Sequence, residues 1–185
     1  SLRLADANRG MWLEFGVWTG YSIKRIAEFR QHHRKQHTSA HASVFGFDWF
    51  HGLPTYWTQG HPKGRFDLHG VPPSLSKDLG IRWVNGLFND TLPAFLRQRP
   101  QNASFVHVDS DLYASASVAL QSLLRADRLS PGVVITFDEL ISYPDYIEHE
   151  MRALWELHVS SGRPVELLGY GGVGQPPFAT AASRL

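Results

Sequence analysis

The chain contains no cysteine in its 185 residues. This excludes disulfides, thiolate metal sites, iron–sulfur clusters and cysteine nucleophiles. It also lacks an excess of either charge, since 18 Lys plus Arg against 17 Asp plus Glu gives a formal +1. A near-neutral chain offers no bulk electrostatic case for nucleic acid or an anionic membrane. No apolar run reaches the roughly 20 residues of a membrane span. The first ten residues hold no apolar signal-peptide core. What is present is ordinary globular composition, 43% hydrophobic and 19% charged. The length predicts a single domain over residues 1–185, and the expected location is cytoplasmic. The chemistry must rest on oxygen and nitrogen groups.

Apolar runs alternate with helical spacing, which predicts an α/β sheet with crossover helices. Strands are expected at Met11–Val17, Ser43–Asp48, Ile81–Phe88, Ala103–Asp109, Gly132–Phe137, Val165–Tyr170 and Phe178–Ala182. Helices are expected at Tyr21–Gln31, with Ser22 as N-cap, at Thr91–Gln98, with Pro93 in its first turn, at Tyr113–Ala126 and over Pro144–Ser160. Ser130–Gly132 reads as a turn. Seven strands with intervening helices make a doubly wound sheet. Residues 49–80 hold four prolines and no steady period, and read as an insertion or lid near a site.

Glu14–Ser22 (EFGVWTGYS) follows the first strand and opens the first helix. Its glycines permit a tight turn, and the helix start offers unpaired N–H groups to a carboxylate or phosphate. Asp48 closes the second strand, where an acid can accept hydrogen bonds from both ribose hydroxyls. His107–Tyr113 (HVDSDLY) places Asp109 and Asp111 two apart, on one side of an extended backbone. Asp138 and Glu139 are expected to end the fifth strand. If strands four and five are neighbours, four carboxylates meet at one rim and repel unless a cation sits among them. Hard oxygen donors suit Mg²⁺ or Ca²⁺. Solvated strand-end acids are the competing reading.

The histidines point elsewhere. His107 reads as a core residue, while His51 and His149 are minor candidates for substrate contact. His32, His33, His37 and His41 read as solvated surface. Trp49, Tyr56 and Trp57 form either an aromatic ligand wall or core.

Taken together, EFGVWTGYS, GFDWFHGLP, GLFNDTLP, HVDSDLYAS and ITFDE resemble the class I S-adenosylmethionine-dependent O-methyltransferases of the macrocin O-methyltransferase type. That family includes Mg²⁺-dependent enzymes that methylate sugar hydroxyls of natural products. The resemblance implies a Rossmann-like seven-stranded sheet, mostly parallel, with one antiparallel strand near the C-terminus. The helices that usually precede the first strand in that family are expected to be short or missing here. Glu14, Gly16, Gly20 and Ser22 would face the methionine and ribose of the cofactor. Asp48 would hold the ribose, Trp49 would lie beside the adenine, and Asn89 or Asp90 would border its pocket. Asp109, Asp138 and Glu139 would hold the metal, and Asp111 matches the general base. The partner is then a hydroxylated small molecule, with a homo-oligomer as a further expectation. This sequence departs from the family pattern at Trp49, His51 and Glu139.

Three other readings stay open. One is a catalytically silent cofactor-binding or interaction protein of the same fold. Another is a catechol-type O-methyltransferase. The third is a nicotinamide oxidoreductase, against which the E-x-G-x-x-x-G loop speaks.

Overall fold

The computed structural model describes residues 2–7, 10–34, 43–141, 143–171 and 179–184. A short helix α1 (Leu2–Ala7) leads into β1 (Met11–Phe15), α2 (Tyr21–Arg34) and β2 (Val44–Asp48). There follow β3 (Ile81–Asn85), α3 (Phe88–Gln98), β4 (Ala103–Val108) and α4 (Tyr113–Arg125). The chain continues through β5 (Leu129–Ile141), α5 (Glu150–Ser161), β6 (Glu166–Gly171) and β7 (Ala179–Arg184). No described helix is long and apolar enough to cross a membrane.

Five of the strands, in the order β3-β2-β1-β4-β5, run parallel and form the Rossmann-like sheet that carries the site. At the β5 edge, β7 pairs antiparallel with β5 and β6 pairs antiparallel with β7. The chain moves outward in one direction from β1 through β2 to β3, then returns to place β4 on the other side of β1. That reversal is the topological switch point, where ligands bind beyond the carboxyl ends of the strands.

Neighbouring residues on a strand face opposite sides, so strands covered on both faces read as continuous apolar runs. Leu13, Phe15, Phe47, Val106, Val108, Ile135 and Phe137 pack with Leu92 and Phe95 of α3, Leu120 and Leu123 of α4, and Leu157 of α5. Trp12, Val44, Phe105 and Val134 pack on the other side, with Ile23, Ile26 and Ala27 of α2. Glu14 and His107 lie two residues on from Trp12 and Phe105 and so share this second face.

Several boundaries differ from the expected ones. The first strand stops at Phe15 because Gly16 turns with φ +87°. The third stops at Asn85, and Gly86 (φ +139°) lets α3 begin at Phe88, which places Pro93 inside the helix. The fifth strand starts early, absorbing the expected Ser130–Gly132 turn, and runs to Ile141. Asp138 and Glu139 therefore lie within it. Its ladder to β7 is irregular between Phe137 and Ile141, a bulge-like break of the kind that re-aims side chains beside sites. The helix expected over Pro144–Ser160 divides into a 3₁₀ turn, Tyr146–Glu148, and α5. His37, His41 and Phe178 lie outside the described residues.

Residues 49–80 carry no strand, only an isolated bridge between His51 and Asp67 and a 3₁₀ turn at Lys77–Leu79. They are nevertheless packed. Leu53 and Trp57 form a third cluster with Leu112 and Tyr143, and Phe66 and Tyr146 lie against it.

Candidate functional site

The carboxyl ends of β1, β2, β4 and β5 surround one cavity of about 890 Å³. That volume accommodates a drug-sized ligand. The cavity is lined by Gly16, Ser22, Asp48, Trp49 and Asn89, and also by Asp109, Asp111, Asp138 and Glu139. Trp18, Leu53, Pro54 and Phe66 supply the apolar part of its lining.

The glycine loop is built differently from a simple ligand cradle. A Cβ on Gly16 would lie 1.7 Å from the Asp109 carbonyl oxygen, so its glycine is required by the crossing of two chain segments. The amide of Gly16 donates to Phe47 O and that of Asp109 donates to Phe15 O, which extends the ladders past the strand ends. Gly20, at φ +81°, leaves room for Pro73 and Leu75 of the 49–80 segment and does not line the cavity. Gly16→Ala should destabilise the fold by about 3 kcal/mol, from the positive φ together with the backbone overlap. Denaturant unfolding measures this directly; a change below 1 kcal/mol (roughly the surface-substitution range) would show that the loops part easily.

Asp48 has a structural task as well. Its Oδ2 accepts from the Val17 and Trp18 amides at 2.9 and 3.0 Å, and its Oδ1 accepts from Phe50 N at 2.7 Å. These bonds fasten the loop after β1 to the end of β2. A carboxylate has about four acceptor directions, so capacity for a ligand hydroxyl remains. Glu14 is fully buried and does not line the cavity. It reaches the site through Ser22, whose hydroxyl donates to Glu14 Oε1 at 2.7 Å. Ser22 sits inside the first turn of α2 and makes this bond in place of the expected N-cap. Trp49 lines the cavity, and its ring NH donates to Gly52 O. Asp90, unlike Asn89, faces away from the cavity in the first turn of α3.

Carboxylate oxygens of Asp109, Asp111 and Glu139 lie within 4.8 Å of one another. Asp138 lines the same cavity but is not part of that close group. Burial is the first cause of a raised carboxyl pKa at each of the three, and their mutual repulsion adds to it. Asp109 is held well above the usual range, despite the favourable charge of His107. Asp111 is pushed up to about 7 by burial, then by Asp138 and Asp48. Glu139 is pushed up to about 11 by burial, then by Asp109 and Asp111. Glu139 Oε2 is buried without a hydrogen-bond partner. Crowded oxygen donors with an unmatched buried oxygen fit a hard divalent cation, which would relieve both the repulsion and the orphaned atom.

His107 lies beneath this group, its Nδ1 3.6 Å from Glu14 Oε2. Burial alone would lower its pKa, but Glu14 outweighs that and pushes it up to about 9. It is a buried cation beneath the acids, consistent with its reading as a core histidine. His51 pairs with exposed Asp67 at 3.8 Å, and His149 packs against Trp57 and Tyr143. Neither lines the cavity, and neither do Tyr56 and Trp57. The residues that sequence reasoning missed are Trp18, Leu53, Phe66 and Glu150. The first three lie in aperiodic segments. Glu150 is fully buried, yet on helix spacing alone it reads as an ordinary first-turn acid.

A carboxyl-edge cavity with an acid-closed β2, a glycine-turned β1 loop and a D-x-D loop defines a Rossmann-like ligand-binding enzyme class. The family model described as "Methyltransferase domain" matches residues 13–140, and the chain belongs to that family. The fold is similar to that of CalS11, a calicheamicin methyltransferase, at 23% identity and TM-score 0.72, covering 97% of this chain and 74% of that one. It is similar to the O-methyltransferase NovP at 19% identity and TM-score 0.65, covering 99% and 77%. An O-methyltransferase from Bacillus cereus, in complex with SAH, gives 18% identity and TM-score 0.61, covering 100% and 77%. No curated protein sequence matches the chain.

Proposed function

We propose that this chain is an S-adenosylmethionine-dependent O-methyltransferase, assisted by Mg²⁺ or another divalent cation. Its acceptor is a hydroxyl of a small molecule, most naturally a sugar or sugar-containing natural product. The observation that carries this reading is one cavity lined both by Gly16 and Asp48 and by Asp109, Asp111 and Glu139. Family membership supports methyl transfer. Among the similar folds, one is named a TDP-rhamnose 3'-O-methyltransferase, which supports the sugar hydroxyl.

When bound, S-adenosylmethionine supplies an electrophilic methyl group and a divalent cation lowers the pKa of a coordinated hydroxyl. The chain's own residues do the rest. Gly16, Ser22, Asp48, Trp49 and Asn89 face the cofactor directly. Glu14 supports Ser22, Gly20 admits the segment that packs over the loop, and Asp90 borders the start of α3. Asp109 and Glu139 would hold the cation, with Asp138 on the same cavity wall but outside their close group. Asp111 accepts the acceptor's hydroxyl proton on its carboxylate, because an alcohol is a poor nucleophile while it keeps that proton. Trp18, Leu53, Pro54 and Phe66 exclude water from the acceptor and hold its ring system.

Calorimetry with S-adenosylhomocysteine should show one site per chain. Mass spectrometry should then find a methylated product from a panel of phenyl rhamnoside, TDP-rhamnose and catechol, made only when Mg²⁺ is present. Binding without any product would favour the catalytically silent reading. Product from catechol alone would favour the catechol-type enzyme. Absence of S-adenosylhomocysteine binding would sink the proposal.

A further inference from the structure

The loop from β4 to α4 places three of its amides with three different partners. The Asp109 amide donates to Phe15 O at 2.8 Å and still belongs to the ladder. The Ser110 amide has left the ladder and donates to Glu150 Oε1 at 3.3 Å, from a residue 40 positions away. The Leu112 amide donates back to Ser110 O at 2.5 Å, closing a three-residue turn about Asp111. Asp111 itself has φ +60°. A non-glycine residue held there costs on the order of 1–3 kcal/mol and persists only when its surroundings impose it.

Glu150 is the imposing group. It is the first residue of α5 and is fully buried. Its helix is fixed against α4, where the Tyr113 hydroxyl is shared between the two Glu156 oxygens at 2.8 and 3.0 Å. Ala153, Leu154 and Leu157 bury the apolar face of the same helix. Its second oxygen, Oε2, is buried without a hydrogen-bond partner. A carboxyl in that position is costly unless the bond it makes is needed. Burial, and then Asp109, hold its carboxyl well above the usual range, and its Oε1 is the acceptor it presents to Ser110.

We propose that Glu150 is a positioning residue: its buried carboxyl clamps the Ser110 amide and so holds the strained turn that presents Asp111 to the acceptor. This rests on the reading of Asp111 as the proton acceptor. It makes α5 part of the site, although no residue of that helix lines the cavity.

The test compares Glu150→Leu, which keeps buried bulk but offers no acceptor, with Glu150→Gln, which restores a carbonyl oxygen of the same reach. Both are made in the whole chain. In Glu150→Leu, the amides of 109–112 should exchange with deuterium faster. Its kcat on phenyl rhamnoside should fall roughly 100-fold, the effect of misplacing a reacting group by about 1 Å. Its S-adenosylhomocysteine affinity and KM for S-adenosylmethionine should stay unchanged, which a general loss of structure would not allow. Glu150→Gln should restore both exchange protection and kcat to within about threefold of wild type, the small loss that a retained hydrogen bond implies. Wild-type exchange in Glu150→Leu, or a Glu150→Gln as impaired as Glu150→Leu, overturns the inference. If Glu150→Leu does not fold, exchange in folded Glu150→Gln decides: unchanged protection at Ser110 supports the clamp and accelerated exchange overturns it. Failure here is separable from failure of the functional reading. A fully active Asp111→Asn removes that reading, whereas an inactive Asp111→Asn beside a fully active Glu150→Leu removes only the clamp.

Discussion

Asp111→Asn is expected to bind S-adenosylhomocysteine as wild type does while losing turnover by roughly 10²–10⁴-fold, the usual contribution of a general base. The substitution is nearly isosteric, and asparagine also tolerates positive φ, so the turn at φ +60° is preserved. The change removes the capacity to take a proton. Asp111 is well placed for that role because it lines the cavity while it sits among other acids. Single-turnover measurement with preloaded cofactor isolates the chemical step. A rate within tenfold of wild type (about 1.4 kcal/mol of barrier) would assign the proton to another group.

Removal of the divalent cation should have an effect of similar size. Chelation by EDTA is expected to reduce turnover by roughly 10³-fold, since charge stabilisation by a bound cation contributes several kcal/mol. Readdition of Mg²⁺ should restore it. Asp109→Asn should weaken the cation requirement and the rate together, and titration with Mn²⁺ followed by paramagnetic resonance should show the lost site directly. The expectation rests on crowding. Asp109, Asp111 and Glu139 have oxygens within 4.8 Å, and Glu139 Oε2 has no hydrogen-bonding neighbour. Full activity in EDTA would leave protons, rather than a metal, as the neutralising charge.

Much of this arrangement is legible in the chain because parallel strands buried on both faces write themselves as apolar runs. Met11–Phe15, Val44–Asp48 and Ala103–Val108 are found within two residues of their expected limits for that reason. The cavity-lining acids at the strand ends are legible too, since Asp48, Asp109 and Asp111 interrupt those runs where the apolar pattern gives no cause. Asp138 and Glu139 were harder, because β5 continues through them to Ile141, and a break in pairing leaves no mark in composition. Gly16 does line the cavity, but its lack of a side chain also answers to the Asp109 carbonyl, which no local pattern reveals. Glu150 was invisible because its meaning comes from a single long-range bond. Ser22 shows the same limit on a smaller scale: sequence suggests a cap, and the partner is Glu14.

The cluster of Leu53, Trp57, Leu112 and Tyr143 has an evolutionary consequence. Leu53 faces the cavity from the acceptor wall, while Leu112 is covalently next to Asp111. Under the proposed function, drift toward a new acceptor would therefore be felt at the residue beside the proton acceptor. On that reading, substrate range and catalytic alignment are coupled through this packing. Variants with altered acceptor choice should carry paired changes, one in the 49–80 segment and another at Leu112 or Tyr143.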